Sequence, residues 1–155
     1  EVQLLCREGE RWLPVAEFFS GPGQTVRRPD ELLAGVRFRP FLEGEHGAYR
    51  KIGTRRAVRI AKASVAVALV LRGDAVQRCR LALGAVAPTV IRVPQVEAYL
   101  AGRLLTDDVM GQAGTLAAQA CRPITDIRST VAYRRHVVAV LVARALRAIM
   151  GQGGD

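Results

Sequence analysis

The stretch AKASVAVALVLRGDAVQRCRLALGAVA, residues 61–87, constrains this chain more than any other. Two apolar runs flank Gly73 and Asp74, a pair that tolerates positive φ and so reverses the chain in a tight hairpin. Ser64 to Leu71 is almost continuous in Ala, Val and Leu, which predicts a strand buried on both faces. In the returning strand Val76, Arg78, Arg80 and Ala82 alternate with Gln77, Cys79, Leu81 and Leu83, which predicts one polar side. An antiparallel sheet with one covered face follows.

The cover comes from downstream. After VAPTVIRVP the period changes from two to 3.6, and three helical patterns succeed one another. The first runs from Pro94 to Gly102, with proline at its start and glycine at its end. The second starts behind Thr106, whose hydroxyl can cap an early N–H, with Asp107 and Asp108 suited to the positive end of the helix dipole. The third spans Ser129 to Met150, with Tyr133, Val137, Leu141 and Ala145 in one row. Strands followed by helices, segregated in sequence, predict an α+β layer packing.

Residues 1–46 read differently, because Gly and Pro interrupt them repeatedly. Val2–Cys6 and Arg11–Leu13 form a short hairpin pattern. PVAEFF then reads as one helical turn burying its aromatics, PDELL as a second short turn, and GVRFR, residues 35–39, as a strand. Such a segment cannot make a core alone. The pattern becomes cleaner from Gly47 onward, so the chain divides there. A first residue other than methionine reads as a trimmed chain or a piece of a longer one.

The net charge of +9 raises nucleic acid or an anionic membrane as partners. However, aromatics are only 5% of residues, and 21 of the 23 cations are arginines scattered singly or in pairs, which fits a compositional bias better than a nucleic-acid surface. No nucleic-acid partner and no membrane span are expected; the longest apolar run, Ala63–Leu71, is too short to cross a bilayer. Cys6, Cys79 and Cys121 are odd in number and far apart, which predicts reduced, buried thiols in a cytoplasmic protein and no metal site.

No catalytic constellation stands out. His46 and His136 lack triad or metal spacing, and no nucleophile elbow or paired carboxylates occur. Asp126, in ITDIRST, reads as a loop-ordering residue that binds backbone N–H groups and Arg128 or Arg134. GAYRKIGTRRAVRI, residues 47–60, differs in character: it gathers Tyr49, Arg50, Lys51 and further arginines beside a buried strand. Cations on a loop at a sheet edge suit an anion or an electron-rich heteroaromatic, and a solvated charged hairpin fits the same residues.

In order, AEFFSGP, RPDELL, AYRKIGTRRA, RLALGAVAPTVIR and RPITDIRSTVAYRRHVVAVLVARAL closely resemble the C-terminal part of the FAD-binding (medium) subunit of molybdenum hydroxylases, the xanthine dehydrogenase and carbon monoxide dehydrogenase flavoprotein family. The resemblance covers nearly the whole chain. It implies that residues 1–46 are the C-terminal remnant of an FAD-binding domain, that residues 47–151 are the C-terminal domain of such a flavoprotein, an α+β fold with a three-stranded antiparallel sheet covered by helices, and that residues 152–155 are a tail. It also implies a role in electron transfer: iron–sulfur clusters deliver electrons to FAD, which reduces an external acceptor. Two [2Fe-2S] clusters and the molybdenum cofactor are expected on partner subunits, an iron–sulfur subunit and a molybdenum subunit.

By motif position, the resemblance assigns Leu33 to the flavin's surroundings, Lys51 to the approach to the isoalloxazine, and Tyr49 to its flank. The glycine-rich loops that grip the FAD pyrophosphate in this family have no counterpart in this chain, so the resemblance implies a fragment or split half of the flavoprotein subunit of a molybdenum-dependent oxidoreductase, not catalytic alone, with an N-terminal FAD subdomain as partner if the subunit is split. Pro22–Gly23 stands where NAD-using members resembling xanthine dehydrogenase carry an aromatic–Arg pair, and Arg59 where they carry an acidic residue, so the resemblance extends poorly to an NAD site and leaves a quinone, a cytochrome or another acceptor open. The competing expectation is a non-catalytic assembly module that has lost FAD.

Overall fold

The structure is a computed structural model that describes residues 1–54 and 60–151. Two compact units divide it, Glu1–Phe41 and the chain from Leu42 onward.

In the first unit β1 (Val2–Cys6) pairs antiparallel with β2 (Gly9–Leu13), as the alternation predicts. α1 (Val15–Phe18), β3 (Phe19–Gly21) and β4 (Gln24–Thr25) follow. Phe18 is buried with Val2, Leu4 and Leu13, whereas Phe19 is half exposed at the start of a strand, so only one of the two aromatics enters the small core. PDELL does not continue as a turn. β5 (Leu32–Val36) begins inside it and ends before Arg37, because Leu32 and Leu33 pair with Leu5 and Leu4. The turn stops at Glu31, whose carboxylate accepts from the Arg28 N–H (2.7 Å) and from Arg11 Nε (2.6 Å) and Nη2 (3.0 Å). This buried hub holds the Glu31 carboxyl at a pKa of about 2, chiefly through the Arg11 hydrogen bond.

The second unit is built on β6 (Glu45–Gly53), β7 (Ala61–Arg72) and β8 (Ala75–Gly84), an antiparallel meander to which a two-residue β9 (Ile91–Arg92) adds an edge. Gly73 turns the β7–β8 hairpin with φ +58°, as the Gly-Asp pair predicts. α2 (Pro94–Leu100), α3 (Asp107–Ala120) and α4 (Val131–Met150) complete the unit. Thr106 caps α3 by accepting from the Val109 N–H at 3.3 Å, and Thr130 caps α4 by accepting from Tyr133 at 3.2 Å.

One apolar cluster joins sheet and helices: Val65, Val67 and Leu69 from β7, Leu81 and Leu83 from β8, and Val138, Val142, Ala145 and Ile149 from α4. Tyr133 is half exposed and lies outside this cluster. The helices α3 and α4 touch at Gly114, where a Cβ would stand 2.4 Å from the Ala139 carbonyl oxygen.

Two expectations about the sheet are corrected. β7 is not buried on both faces: Ala63, Val65, Val67 and Leu69 are buried under the helices, but Ala66 is exposed and Ser64, Ala68 and Val70 are only partly covered. Helices pack on one side alone. Val76 lies on the buried side instead of the polar one, since a bulge between Val70 and Leu71 shifts its register and sets Gln77 apart. Backbone bonds from Val76 N to Arg103 O and from Gly102 N to Val76 O fix it there.

Candidate functional site

The uncovered face of β6–β7–β8 is where the predicted residues of the second unit meet. Cross-strand partners share a face of a sheet. Tyr49 is level with Ala66, which is level with Ala82; Lys51 is level with Ser64, then Gly84; Gly47 is level with Ala68, then Arg80. Tyr49 and Lys51 thus project from one side of β6, two residues apart and both exposed. Arg50 between them faces the opposite way, level with Val65.

Both residues sit on a strand, not on a loop as the sequence predicts, because nine residues of β6 pair in nearly unbroken register with β7. Arg55, Arg56 and Arg59 of the same motif lie outside the described residues. Leu33 belongs to the first unit, where it is half exposed on β5.

The floor beside Tyr49 and Lys51 is made of Gly47, Ala66, Ala68 and Ala82, none larger than a methyl group. At Gly84 an added Cβ would lie 2.5 Å from Ser64 Oγ, so the serine hydroxyl occupies the space a side chain would need. A level, low surface bordered by a phenol and an ammonium accepts a planar heteroaromatic: the ring can lie on the methyls while Lys51 donates to an oxygen at its edge. The far end of the face is closed by Glu45, a buried carboxylate bonded to Arg80, with Arg78 at 3.9 Å and the Leu42 N–H at 3.1 Å.

None of the helix starts of the second unit suits a pyrophosphate. α3 opens with Asp107 and Asp108, which repel an anion, α2 has Pro94 at its first position, and α4 begins with N–H groups taken by Thr125 and Thr130. The donor set fits the ring of a flavin and not its phosphates.

Sequence reasoning assigned Asp126 correctly to loop ordering but missed what Arg134 does. Asp126 Oδ1 accepts from the N–H of Arg128 (2.9 Å) and Ser129 (3.0 Å) and from Arg134 Nη2 (2.8 Å). Desolvation pushes its carboxyl pKa up, yet these hydrogen bonds outweigh it and the pKa falls below the ordinary value. Arg134 is buried in the last helix and its Nη1 also donates to the carbonyls of Lys62 and Ala85, each at 2.8 Å. It therefore ties the start of β7 and the end of β8 to the loop before α4. A buried cation in an otherwise apolar helical row was the available signal.

Cys79 and Cys121 are buried thiols with pKa values pushed up by burial to about 12 and about 11, and Cys6 is half buried. Among the described residues there is no grouping of His, Cys, Asp and Glu able to hold a metal, and no helix long and apolar enough to cross a membrane.

Residues 48–149 match the family described as the CO dehydrogenase flavoprotein C-terminal domain. The glyceraldehyde dehydrogenase medium chain of Sulfolobus acidocaldarius is 33% identical over 96% of this chain and 52% of its own length. The carbon monoxide dehydrogenase medium chain of Hydrogenophaga pseudoflava is 31% identical over 90% of this chain and 48% of its own. A solved carbon monoxide dehydrogenase structure from Hydrogenophaga pseudoflava superposes with a TM-score of 0.89, covering 97% of this chain and 52% of that one, at 31% identity. The chain spans about half the length of these relatives.

Proposed function

The chain belongs to the CO dehydrogenase flavoprotein C-terminal domain family, and on that premise we propose that it completes the flavin site of an FAD-binding medium subunit in a molybdenum hydroxylase. The observation that carries this is the common projection of Tyr49 and Lys51 over the small-residue floor of β7 and β8. FAD, when bound, supplies electron transfer between iron–sulfur clusters on a partner subunit and an external acceptor. Tyr49 would flank the bound ring, and Lys51 would donate a hydrogen bond from its ammonium to a carbonyl oxygen at the ring's edge. The resemblance assigns Leu33 an apolar contact with the cofactor by motif position. Pyrophosphate binding falls to an N-terminal FAD subdomain, and the molybdenum cofactor to a further subunit. Pro22–Gly23 and Arg59 favour an acceptor other than NAD.

The lack of a pyrophosphate cradle among the described residues favours the second reading, a non-catalytic assembly module, wherever no complementary half is present. Mixing this chain with the N-terminal half of the subunit and FAD separates the two. A flavin absorbance band retained through gel filtration only when both halves are present supports the flavin site; retention by the N-terminal half alone, unchanged by adding this chain, rejects it.

A further inference from the structure

The loop from Cys121 to Thr130 joins α3 to α4 and carries a fully exposed isoleucine at its tip. Ile127 sits between Asp126 and Arg128 in a turn whose ends are locked: Asp126 and Ser129 exchange backbone hydrogen bonds of 3.0 and 3.2 Å. The Asp126 carboxylate draws in two further N–H groups and the buried Arg134, while Thr125 Oγ1 accepts from the Val131 N–H at 3.2 Å. Tips of tight turns ordinarily carry Gly, Asn, Asp or Ser, which water solvates well. Here a branched apolar side chain is held out on a braced support, with Ile124 also largely exposed on the same loop. Nothing in the turn needs Ile127: its own side chain contributes no packing to the hub that orders it.

We propose that Ile127 is an anchor that inserts into an apolar socket on another subunit of the complex, and that the socket is rimmed by carboxylates. Preorganisation supports the anchor, since a pinned turn has already lost the conformational freedom that a flexible one would lose on docking. The surrounding charge specifies the rim. Cys121 to His136 contains four arginines and one aspartate, and that aspartate is already paired with Arg134 and Arg128. Arg128, next to Ile127, and Arg122, at the start of the same loop, are exposed, and opposite charge on the partner fixes register and discriminates against wrong surfaces. A single aliphatic anchor without a neighbouring aromatic platform suits a dry protein socket better than stacked bases. The inference rests on the chain being a subunit of a larger complex.

The test uses the complex isolated from its own cells with its co-purifying chains, carrying Ile127→Cys in a Cys6→Ser background. Cys79 and Cys121 stay unreactive because burial keeps both protonated. Maleimide labelling at position 127 is expected to be at least about tenfold slower than that of a short cysteine peptide, as for a side chain withdrawn from solvent. In parallel, Ile127→Asp is expected to weaken retention of this chain by about tenfold or more, with Ile127→Leu retained like the parent. Labelling as fast as the peptide, or unimpaired retention of Ile127→Asp, overturns the proposal, as does cross-linking of position 127 to a second copy of this chain. If the flavin-loaded complex forms and position 127 labels freely, only the anchor fails. If the chain purifies without flavin or companions, the subunit reading fails with it.

Discussion

Arg134 Nη1 donates at 2.8 Å to the carbonyl oxygen of Ala85, the one non-glycine residue among those described that holds a left-handed backbone, with φ +62°. A left-handed conformation costs an alanine roughly 1 kcal/mol, because Cβ crowds the following carbonyl. The same guanidinium satisfies the Lys62 carbonyl and the Asp126 carboxylate, so the strain at the end of β8 is held by the group that orders the loop before α4.

Removing that group takes a donor from the Lys62 and Ala85 carbonyls and leaves Asp126 with the Arg128 and Ser129 N–H groups. Arg134→Met is expected to destabilise the protein by about 2 kcal/mol, since each of the two part-buried carbonyls that loses its donor costs about 1 kcal/mol. Ala85→Gly in the Arg134→Met background recovers part of the loss by relieving the left-handed strain. Urea midpoints of the two single variants and the double variant measure the coupling; strict additivity contradicts a shared role.

The contact between α3 and α4 gives a paired prediction. Gly114→Ala places a methyl against the Ala139 carbonyl oxygen, so the helices must separate and stability falls by about 2 kcal/mol. Gly111→Ala, three residues earlier on the exposed side with open space for a Cβ, gains roughly 0.5–1 kcal/mol from helix propensity. Thermal melts of the two variants should move in opposite directions.

Acid acts on the first unit through Glu31. Its pKa is about 2 in the fold against 4.5 for an unperturbed glutamate, so the Arg11–Glu31 pair stabilises the protein above pH 4.5. That contribution is lost as pH falls from about 4.5 towards 2. Glu31→Gln lowers stability at neutral pH and flattens the acid limb of a pH-dependent melt; a limb as steep as the parent's rules out Glu31 as its source.

How much of this was legible varies with the physics involved. The β7–β8 hairpin, the three helices and the capping role of Thr106 rest on period, turn chemistry and a short side-chain bond, all local and all readable, whereas the last helix, expected from Ser129, starts at Val131 behind its cap Thr130. Ser64–Leu71 misled because apolarity reports compatibility with burial, not its presence: Ala66 and Ala68 tolerate cover that this chain does not provide on that side. Val76 was misassigned because a bulge has no signature in the alternation. Tyr49 and Lys51 were named through motif position, and their shared face depends on pairing with β7, a long-range relation that spacing does not reveal. The reach of Arg134 to Lys62 and Ala85 spans 72 and 49 residues and was invisible for the same reason.

The central claim is that the Lys51 face of β6 meets the flavin. A cation near the ring favours the reduced, anionic form, so its removal lowers the potential. The decisive measurement is the flavin midpoint potential of the assembled complex carrying Lys51→Ala, with Arg50→Ala as the control on the opposite face of the same strand. A lower potential for Lys51→Ala and an unshifted one for Arg50→Ala is the predicted result. Equal potentials in the parent and Lys51→Ala contradict it.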